Sequence, residues 1–363
     1  MGFSSLGSTD LAITFEFRNH MTQPLPSVRW PAEWEPQDAL WLSWPHNRET
    51  WPGLYEPVPK AFTALARQIA LATPVRVLAG SKVAGEAERA LDGIANLELV
   101  DVETNDCWIR DYGPTFVQAA DGSLAGVDWR YNSWGGKYPP WDRDAAAAEK
   151  ILKQIGVNRI PSTLCLEGGA IETDGAGRLL LTPDCVLTET RNPGCDKAQV
   201  EAELSEKLGV REFIWLTGGG LIGDDTDGHI DQLARFVDPE NLVIASCEPS
   251  DPNYPALEAN YQQLQRWAEQ ADGNFQVHRL PIPSPREVDG QRVPECYCNF
   301  LISGAQVLVP TFADPKSDRL AVAIVRNLMP QHDVVPLDAS ALSWGLGAFH
   351  CMSQQQPSPH VSN

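Results

Sequence analysis

A pattern that recurs five times along the chain constrains the fold most: an apolar hairpin followed by a segment with helical spacing. Alternating apolar residues mark each hairpin, and apolar residues at every third or fourth position mark each helix. The hairpins begin near Asp38, Thr115, Ala170, Ile230 and Asn299, and the helical segments cover residues 59–72, 143–155, 197–208, 255–270 and 318–329. Five such units without a Pro/Gly/Ser-rich linker favour one closed radial arrangement. We therefore predict an α/β fold, a fivefold pseudo-symmetric α/β propeller of ββαβ-type modules.

The start of the chain differs from this repeat. Residues 1–24 have neither the basic segment nor the continuous apolar segment of a secretory signal. We predict that residues 1–24 are a disordered extension, with Met21 as an alternative start, and that residues 25–363 form a single catalytic domain.

Charge and cysteine content limit the partners and the compartment. The chain has 28 Lys and Arg against 48 Asp and Glu, a net charge of −20, which repels nucleic acid and anionic lipid. No apolar run approaches the roughly 18 residues of a membrane span. The 8 cysteines are dispersed, unlike those of a disulfide scaffold. We expect a cytoplasmic protein without nucleic-acid or membrane partners, and the sequence leaves a homo-oligomer open.

Polar clusters fall beside the predicted hairpins, where the fold could bring them to one end. His229 and Asp231 are two apart in an expected strand, so both side chains would project from one face. Trp108 and Asp111 could stack on, and pair with, a planar cation. Cys351 follows a turn of small residues, and a reactive thiolate there needs a partner such as His229.

The number of carboxylates around these residues indicates the substrate. Glu167 precedes two glycines, and residues 224–227 add three more acids. Acyl transfer by a Cys-His pair develops an anion, which surplus carboxylates would oppose. A guanidinium group is planar and cationic and pairs bidentately with carboxylates. We expect a small cationic guanidine substrate, held by Asp111 and Asp231 and attacked by Cys351.

Three apparent cofactor motifs do not fit their chemistry. The calcium-loop pattern fails because Gly223 and Ala234 occupy its first and twelfth ligand positions. Cys296 and Cys298 form a lone C-x-C without a second pair for zinc. The glycines of residues 218–223 match a dinucleotide motif, but the acids that follow would repel pyrophosphate. We predict neither a metal nor an organic cofactor.

Taken jointly and in order, six motifs resemble those of the agmatine deiminases. The motifs are PAEWEP at 31–36, WPHN at 44–47, NDCWIRD at 105–111, EGG at 167–169, GDDTDGHID at 223–231, and HC at 350–351 with QQQP at 354–357. This group belongs with the bacterial-type peptidylarginine deiminases, in a guanidine-modifying superfamily of fivefold α/β propellers. The resemblance implies hydrolysis of agmatine to N-carbamoylputrescine and ammonia through a covalent thiouronium-type adduct, with no metal or organic cofactor.

The resemblance also implies a role for each matching residue. The implied roles are Cys351 as nucleophile, His229 as acid/base, Asp111 and Asp231 as guanidinium-binding carboxylates, Glu167 as the acid that orients His229, Trp108 as a wall of the pocket, and Asp225 as the partner of the distal ammonium. Two positions depart from the pattern: Ala348 stands where many members have Asn, and Lys137 could disfavour a second substrate cation.

Two alternatives remain open. A deiminase acting on free or peptidyl arginine would use the same chemistry, although the carboxylate of arginine calls for an Arg or Lys at the far end of the pocket. The acids at Asp224, Asp225 and Asp227 favour an ammonium group instead. A non-enzymatic polyamine-binding protein would explain the acids and tryptophans but would give Cys351 no role.

Overall fold

The computed structural model describes residues 1–2 and 28–359. Apart from its first two residues, the predicted extension over residues 1–24 therefore lies outside the described residues. The strands are β1 (Val28–Arg29), β2 (Gln37–Ser43), β3 (Val75–Leu78), β4 (Leu97–Val100), β5 (Thr115–Ala119), β6 (Leu124–Arg130), β7 (Asn158–Cys165), β8 (Ile171–Thr173), β9 (Arg178–Leu181), β10 (Glu212–Trp215), β11 (Ala234–Phe236), β12 (Asn241–Ser246), β13 (Gln276–Pro281), β14 (Glu287–Val288), β15 (Gln291–Arg292), β16 (Leu301–Ser303), β17 (Gln306–Thr311), β18 (Asp333–Asp338) and β19 (Ser353–Pro357). The helices are α1 (Val58–Ile69), α2 (Ala84–Leu91), α3 (Ile109–Tyr112), α4 (Ser133–Gly136), α5 (Ala147–Ile155), α6 (Pro183–Val186), α7 (Lys197–Leu208), α8 (Tyr254–Gln270) and α9 (Pro315–Leu328).

Four sheets repeat one topology, in which an antiparallel hairpin is followed by a helix and a strand parallel to the second hairpin strand. In the first, β5 pairs antiparallel with β6, and β7 returns parallel to β6 after α5. The same order recurs in β8, β9, α7 and β10, in β11, β12, α8 and β13, and in β16, β17, α9 and β18. The predicted ββαβ order is therefore confirmed in these four sheets.

The first module is completed by the end of the described chain. Strand β2 pairs antiparallel with β19, with Leu40 opposite Gln355, and β3 and β4 then extend the sheet in parallel. The prediction of a local hairpin beginning near Asp38 was therefore wrong. No turn signal follows the apolar run of β2, and its antiparallel partner lies about three hundred residues away along the chain.

The five helices predicted from the sequence are present in the structure, close to their predicted bounds. Helix α7 has the predicted bounds because Asp196 and Gln199 form a capping box and Gly209, at φ 73°, ends it. Helices α1, α5, α8 and α9 also occupy the predicted segments, with ends shifted by a few residues. Helix α2 and strand β4 were not predicted. Within the described part of the chain, no helix is long and apolar enough to cross a membrane.

Five short turns precede the first hairpin strand of the five modules. They are α3, the single-turn helices Gly168–Ala170, Ile230–Gln232 and Tyr297–Asn299, and residues 348–352. The first four contact one another in chain order, and α3 also contacts β19, which follows the fifth turn. The backbone NH of His350 bonds the side chain of Asn299 and so joins the fourth and fifth turns. Each turn therefore has neighbours on both sides, which places the side chains of all five around one region.

Candidate active site

Cys351 is held by one side chain of the neighbouring turn. The Nδ2 of Asn299 donates to the Sγ of Cys351 at 3.0 Å. The Oδ1 of Asn299 accepts the backbone NH groups of Ala348, His350 and Cys351, at 3.2, 3.1 and 3.3 Å. Asn299 thus fixes both the loop and the thiol. Asn299 was not among the predicted site residues, although its place at the start of the fifth predicted hairpin was an available signal.

The other predicted catalytic groups converge on Gly169. A Cβ atom on Gly169 would lie 2.6 Å from Nδ1 of His229 and 2.8 Å from Oδ1 of Asp111. The same atom would lie 3.1 Å from Oδ2 of Asp231, an oxygen 3.5 Å from the Sγ of Cys351. Only glycine leaves this space open. The structure therefore brings together four side chains that sequence reasoning placed in one site.

His229 and Asp231 share the site without sharing a strand. An extended segment was predicted here, but residues 230–232 form a single helical turn with His229 as its N-cap. The prediction of strand geometry was wrong here. The turn forms before β11 begins, and both side chains still point into the buried interior, where each is 0% exposed.

Asp111 is oriented by two donors. Its Oδ1 accepts the backbone NH of Gly169 at 3.0 Å, and its Oδ2 accepts Nε1 of Trp134, also at 3.0 Å. Trp134 has a left-handed φ of 54°, as does its neighbour Ser133 at 56°. Such backbone is unfavourable for residues with a Cβ and persists where the surroundings fix it. Trp134 was not among the predicted site residues.

Glu167 lies between two cationic groups. Its Oε2 is 3.6 Å from Nε2 of His229, and Nε of Arg191 donates to its Oε1 at 2.8 Å. Arg191 in turn donates from NH1 to Asp227 at 2.8 Å. Glu167 and the Arg191 side chain are fully buried. Arg191 was another residue that the sequence analysis missed.

Burial and neighbouring charges set the protonation of the basic and acidic groups. Burial favours neutral His229, but Asp111, Glu167 and Asp231 outweigh it and raise its pKa to about 9. Burial and the nearby acids raise the pKa of Asp111 to about 6, against the opposing effect of His229. The pKa of Glu167 is lowered, because His229 and Arg191 outweigh burial. His229 is therefore an imidazolium at neutral pH.

The acids that keep His229 charged keep the thiol of Cys351 neutral. Burial raises its pKa well above the ordinary value, and Asp231 and Asp111 raise it further. The donor Asn299 acts in the other direction. Without a cation between the two carboxylates, Cys351 is therefore a neutral thiol.

Several buried polar atoms have no hydrogen-bond partner among the described residues. They include both ring nitrogens of His229 and the Oδ1 of Asp231. Unpaired buried polar atoms are costly, so each needs a physical explanation, such as a water, an ion or a catalytic role. An oxygen acceptor beside a thiol fits a ligand with N–H donors.

A cavity of about 500 Å³ leads to the thiol. Cys351, Asp111 and Trp108 reach its lining. The ring of Trp108 packs on Trp51 at 5.8 Å between centroids, and a Cβ on Gly347 would lie 2.6 Å from it. Trp108 is thus fixed as a wall.

Asp225 also lines the cavity, where its neighbours restrain it. The hydroxyl of Tyr138 donates to its Oδ2, and Nζ of Lys137 bonds its backbone carbonyl. Lys137 also pairs with Asp227 at 2.8 Å. Asp225 therefore lies on the cavity wall, and Lys137 is already engaged by the carboxylate of Asp227 and the carbonyl of Asp225.

The cofactor motifs set aside earlier have ordinary structural roles. No helix follows residues 218–223. The amide of Gly218 bonds the side chain of Asn260 at 2.7 Å, which fixes the turn. Cys296 and Cys298 are buried, and their thiols face the backbone carbonyls of Gln232 and Leu233.

Known proteins are similar to this chain in both sequence and fold. Residues 29–357 match the family of Porphyromonas-type peptidyl-arginine deiminases. The chain belongs to this family. An agmatine deiminase of Pseudomonas fluorescens (strain SBW25) is 38% identical over 368 residues, 94% of this chain and 98% of the relative. An agmatine deiminase of Stutzerimonas stutzeri (strain A1501) is 38% identical and covers 91% of this chain and 96% of its own length.

Two solved agmatine deiminase structures have the same mixed α/β fold. The agmatine deiminase of Enterococcus faecalis has a TM-score of 0.85 and 32% identity, covering 92% of this chain and 97% of its own. A cysteine-to-serine variant of the C. jejuni agmatine deiminase, with substrate bound, has a TM-score of 0.85 and 29% identity, with the same two coverages of 92% and 97%. The family resemblance drawn from six motifs is thereby confirmed.

Proposed function

We propose that this chain is an agmatine deiminase, which hydrolyses agmatine to N-carbamoylputrescine and ammonia. The observation that carries the proposal is the environment of Cys351: Oδ2 of Asp231 lies 3.5 Å from its thiol, while Oδ1 of Asp231 and both ring nitrogens of His229 have no hydrogen-bond partner among the described residues. The relatives of Pseudomonas fluorescens and Enterococcus faecalis, both named agmatine deiminases, support the same substrate.

In this proposal Asp111 and Asp231 hold the guanidinium group. Asp111 lines the cavity beside Cys351, and Oδ1 of Asp231 has no partner among the described residues, so the planar cation would lie between the two carboxylates and pair with both. Its charge would offset the two acids that raise the pKa of Cys351. Substrate binding therefore lowers that pKa, and the thiol releases its proton to solvent as the guanidinium binds.

The first half of the reaction forms a covalent adduct. The Sγ of Cys351 bonds to the guanidinium carbon and gives a neutral tetrahedral adduct. The imidazolium of His229 then donates its proton to the departing nitrogen, the C–N bond breaks, and ammonia leaves. A cationic thiouronium adduct remains between Asp111 and Asp231, which stabilise its charge.

Water completes the second half. Neutral His229, oriented by Glu167, takes a proton from a water whose oxygen bonds to the same carbon. The C–S bond then breaks and returns the electron pair to Cys351 as a thiolate. The product oxygen loses its remaining proton to solvent. The urea group of N-carbamoylputrescine and the imidazolium result, with no change of oxidation state.

The cavity lining favours agmatine over arginine. Five carboxylic acids line it, namely Glu49, Asp106, Asp111, Asp144 and Asp225. Among the described residues of the lining, Lys137 is the sole cationic side chain, and Asp227 already pairs with it. The carboxylate of free arginine would therefore meet acids. The ammonium of agmatine would face Asp225.

The arrangement of the whole molecule forms part of the proposal. We infer that residues 25–363 act as one catalytic domain, with the five modules as a fivefold α/β propeller. The circular order of contacts among the five turns supports this. A cytoplasmic location fits the dispersed free cysteines. Homo-oligomerisation stays a prediction that size measurements in solution would test.

The decisive experiment measures ammonia release from agmatine, free arginine and an arginine peptide. Cys351→Ala is the control, and a chelator is present in every reaction. Release from agmatine alone, lost in the variant, supports the proposal and a metal-independent reaction. Release from arginine or the peptide would keep the chemistry and replace the substrate. If none of the three compounds releases ammonia, the protein either acts on another guanidine or binds polyamines without catalysis.

A further inference from the structure

His350 lies between two buried carboxylates from distant parts of the chain. Its Nδ1 is 2.8 Å from Oδ2 of Asp231, and its Nε2 is 3.0 Å from Oε2 of Glu33. The imidazole is 1% exposed. When both carboxylates are ionised, both ring nitrogens donate, so the ring is held at its two ends.

Glu33 is a fixed anchor for this ring. Its Oε1 accepts the backbone NH of Ile302 at 2.6 Å, and Arg235 pairs with its Oε2. The NH1 of Arg235 also donates to the carbonyls of Cys298 and Phe300, at 3.1 and 2.9 Å. Burial opposes ionisation of Glu33, but Arg235 and His350 outweigh it and lower its pKa to about 2.

The guanidinium of Arg235 lies beside the carboxylates that surround His350. Glu33, Glu172 and His350 offer ligand atoms within 4.8 Å of one another, a grouping that could hold a metal ion. The guanidinium of Arg235 pairs with both glutamates, at 3.1 Å from Glu172. It supplies the positive charge that the two acids require, so the cluster serves to fix His350 rather than to bind an ion.

The consequence falls on Asp231. Its Oδ2 is tied to His350, whereas its Oδ1 has no partner among the described side chains. The bond to the ring holds Oδ2 in place, which restrains the rotation of the carboxylate and leaves Oδ1 free to meet a cation. The ring itself cannot turn, because Glu33 holds its far nitrogen.

We propose that His350, anchored by Glu33, is a positioning residue that aims the Asp231 carboxylate at the substrate cation. It rests on the proposed function, in which Asp231 binds the guanidinium. His350 does not touch the substrate in this account. It acts through Asp231 alone, and the Nδ1 end of the ring carries the effect.

Two conservative variants separate the two ends of the ring. In His350→Asn the amide nitrogen can replace Nδ1 and still donate to Asp231. In His350→Gln it can replace Nε2 and reach Glu33 instead. A hydrogen bond to a charged group changes a rate by roughly 10- to 150-fold. We expect kcat/KM for agmatine to fall by about that factor in His350→Gln and by about 3-fold in His350→Asn.

A second measurement does not depend on agmatine turnover. Cys351 is alkylated with 2-chloroacetamidine, a planar cation, and with neutral 2-chloroacetamide, and the modified peptide is quantified by mass spectrometry. In both reactions the thiolate displaces chloride and forms one C–S bond. The ratio of the two rates reports how well Asp231 holds a planar cation. We expect this ratio to fall in His350→Gln and to persist in His350→Asn, with equal melting temperatures.

The outcomes are distinct. Equal rate ratios in the two variants, losses that follow the melting temperature, or no preference for the amidinium in the wild type would overturn the positioning role. If the wild type releases no ammonia from agmatine but the ratios still separate, the proposed function fails and the positioning role stands.

Discussion

The Oε2 of Glu167 lies 3.6 Å from Nε2 of His229, too far for a hydrogen bond but close enough for a buried ion pair. Arg191 holds the same carboxylate from its other side. Glu167 therefore acts on His229 mainly through its charge, in a place where neither group is exposed. This charge is one of the causes that raise the pKa of His229 to about 9.

Replacing Glu167 with Gln removes that charge and lowers the pKa of His229. Because ammonia release needs the imidazolium, activity falls as pH rises through the pKa of His229. The alkaline limb of the kcat profile should move to lower pH by about one unit. Glu240→Gln, at an exposed position, is the control. An unmoved limb would contradict the ion-pair role of Glu167.

Asn299 offers a test of how the nucleophile is held. Asn299→Ala leaves three backbone NH groups and the thiol without their partner, so we expect the free energy of unfolding to drop by about 1 to 3 kcal/mol. Asn299→Asp keeps the acceptor but loses the donor to Sγ and adds a repelling charge. Its stability should be nearer to wild type while kcat falls at least about 10-fold. Equal stability losses in the two variants would argue against this division of labour.

Trp134→Phe isolates the indole NH. The donor to Asp111 stabilises the ionised carboxylate, so its loss should raise the pKa of Asp111 above about 6. The acid limb of kcat/KM for agmatine should then move to higher pH, because the guanidinium pairs with the ionised form. Kinetics between pH 5 and 8 measure this. Trp344→Phe, another tryptophan of the cavity lining, should leave the limb in place.

Asp225 can be tested with a substrate that lacks the ammonium group. We expect Asp225→Asn to lower kcat/KM for agmatine by about 10-fold and to leave that for butylguanidine unchanged, since only agmatine carries the second charge. Asp184→Asn, at an exposed acid outside the cavity lining, is the matched control. Equal losses on the two substrates would show that Asp225 acts on the guanidinium end instead.

Ionised Glu33 should add to the free energy of unfolding at pH values above its pKa. Its folded pKa of about 2 lies below the ordinary 4.5, so the contribution is present above pH 4.5 and is lost as pH falls toward 2. Glu33→Gln removes one of the two buried carboxylates that pair with Arg235 and should cost about 3 to 5 kcal/mol at pH 7. Urea unfolding at several pH values would measure this. The difference from wild type should shrink below pH 4.5, whereas Glu98→Gln, in an exposed pair, should change stability by less than about 1 kcal/mol.

Local signals made much of the fold predictable. The bounds of α7 follow from its capping box and terminal glycine, both of which are readable in the sequence. The pairing of β2 with β19 could not be read, because nothing near β2 marks a partner so far along the chain. Strand pairing is set by tertiary contacts, and period-two patterning says which face is buried rather than which strand is adjacent.

The site residues likewise divide into those that the sequence predicted and those that it did not. Cys351, His229 and the acids could be proposed because their chemistry is specific to their residue types. Asn299, Trp134 and Arg191 act by orienting those groups, and an amide, an indole or a guanidinium at one position carries no such signal. Trp134 also depends on left-handed backbone at a non-glycine residue, which the sequence does not predict.

Strand β19 begins two residues after Cys351 and pairs with β2, whose residues are translated about three hundred positions earlier. The same strand that closes the first sheet therefore carries the nucleophile into place. During synthesis on the ribosome, four of the five turns can form while the thiol is still absent. Cys351 consequently reaches its place among the other site residues only when β19 joins β2, so completion of the first sheet and assembly of the site are one folding event.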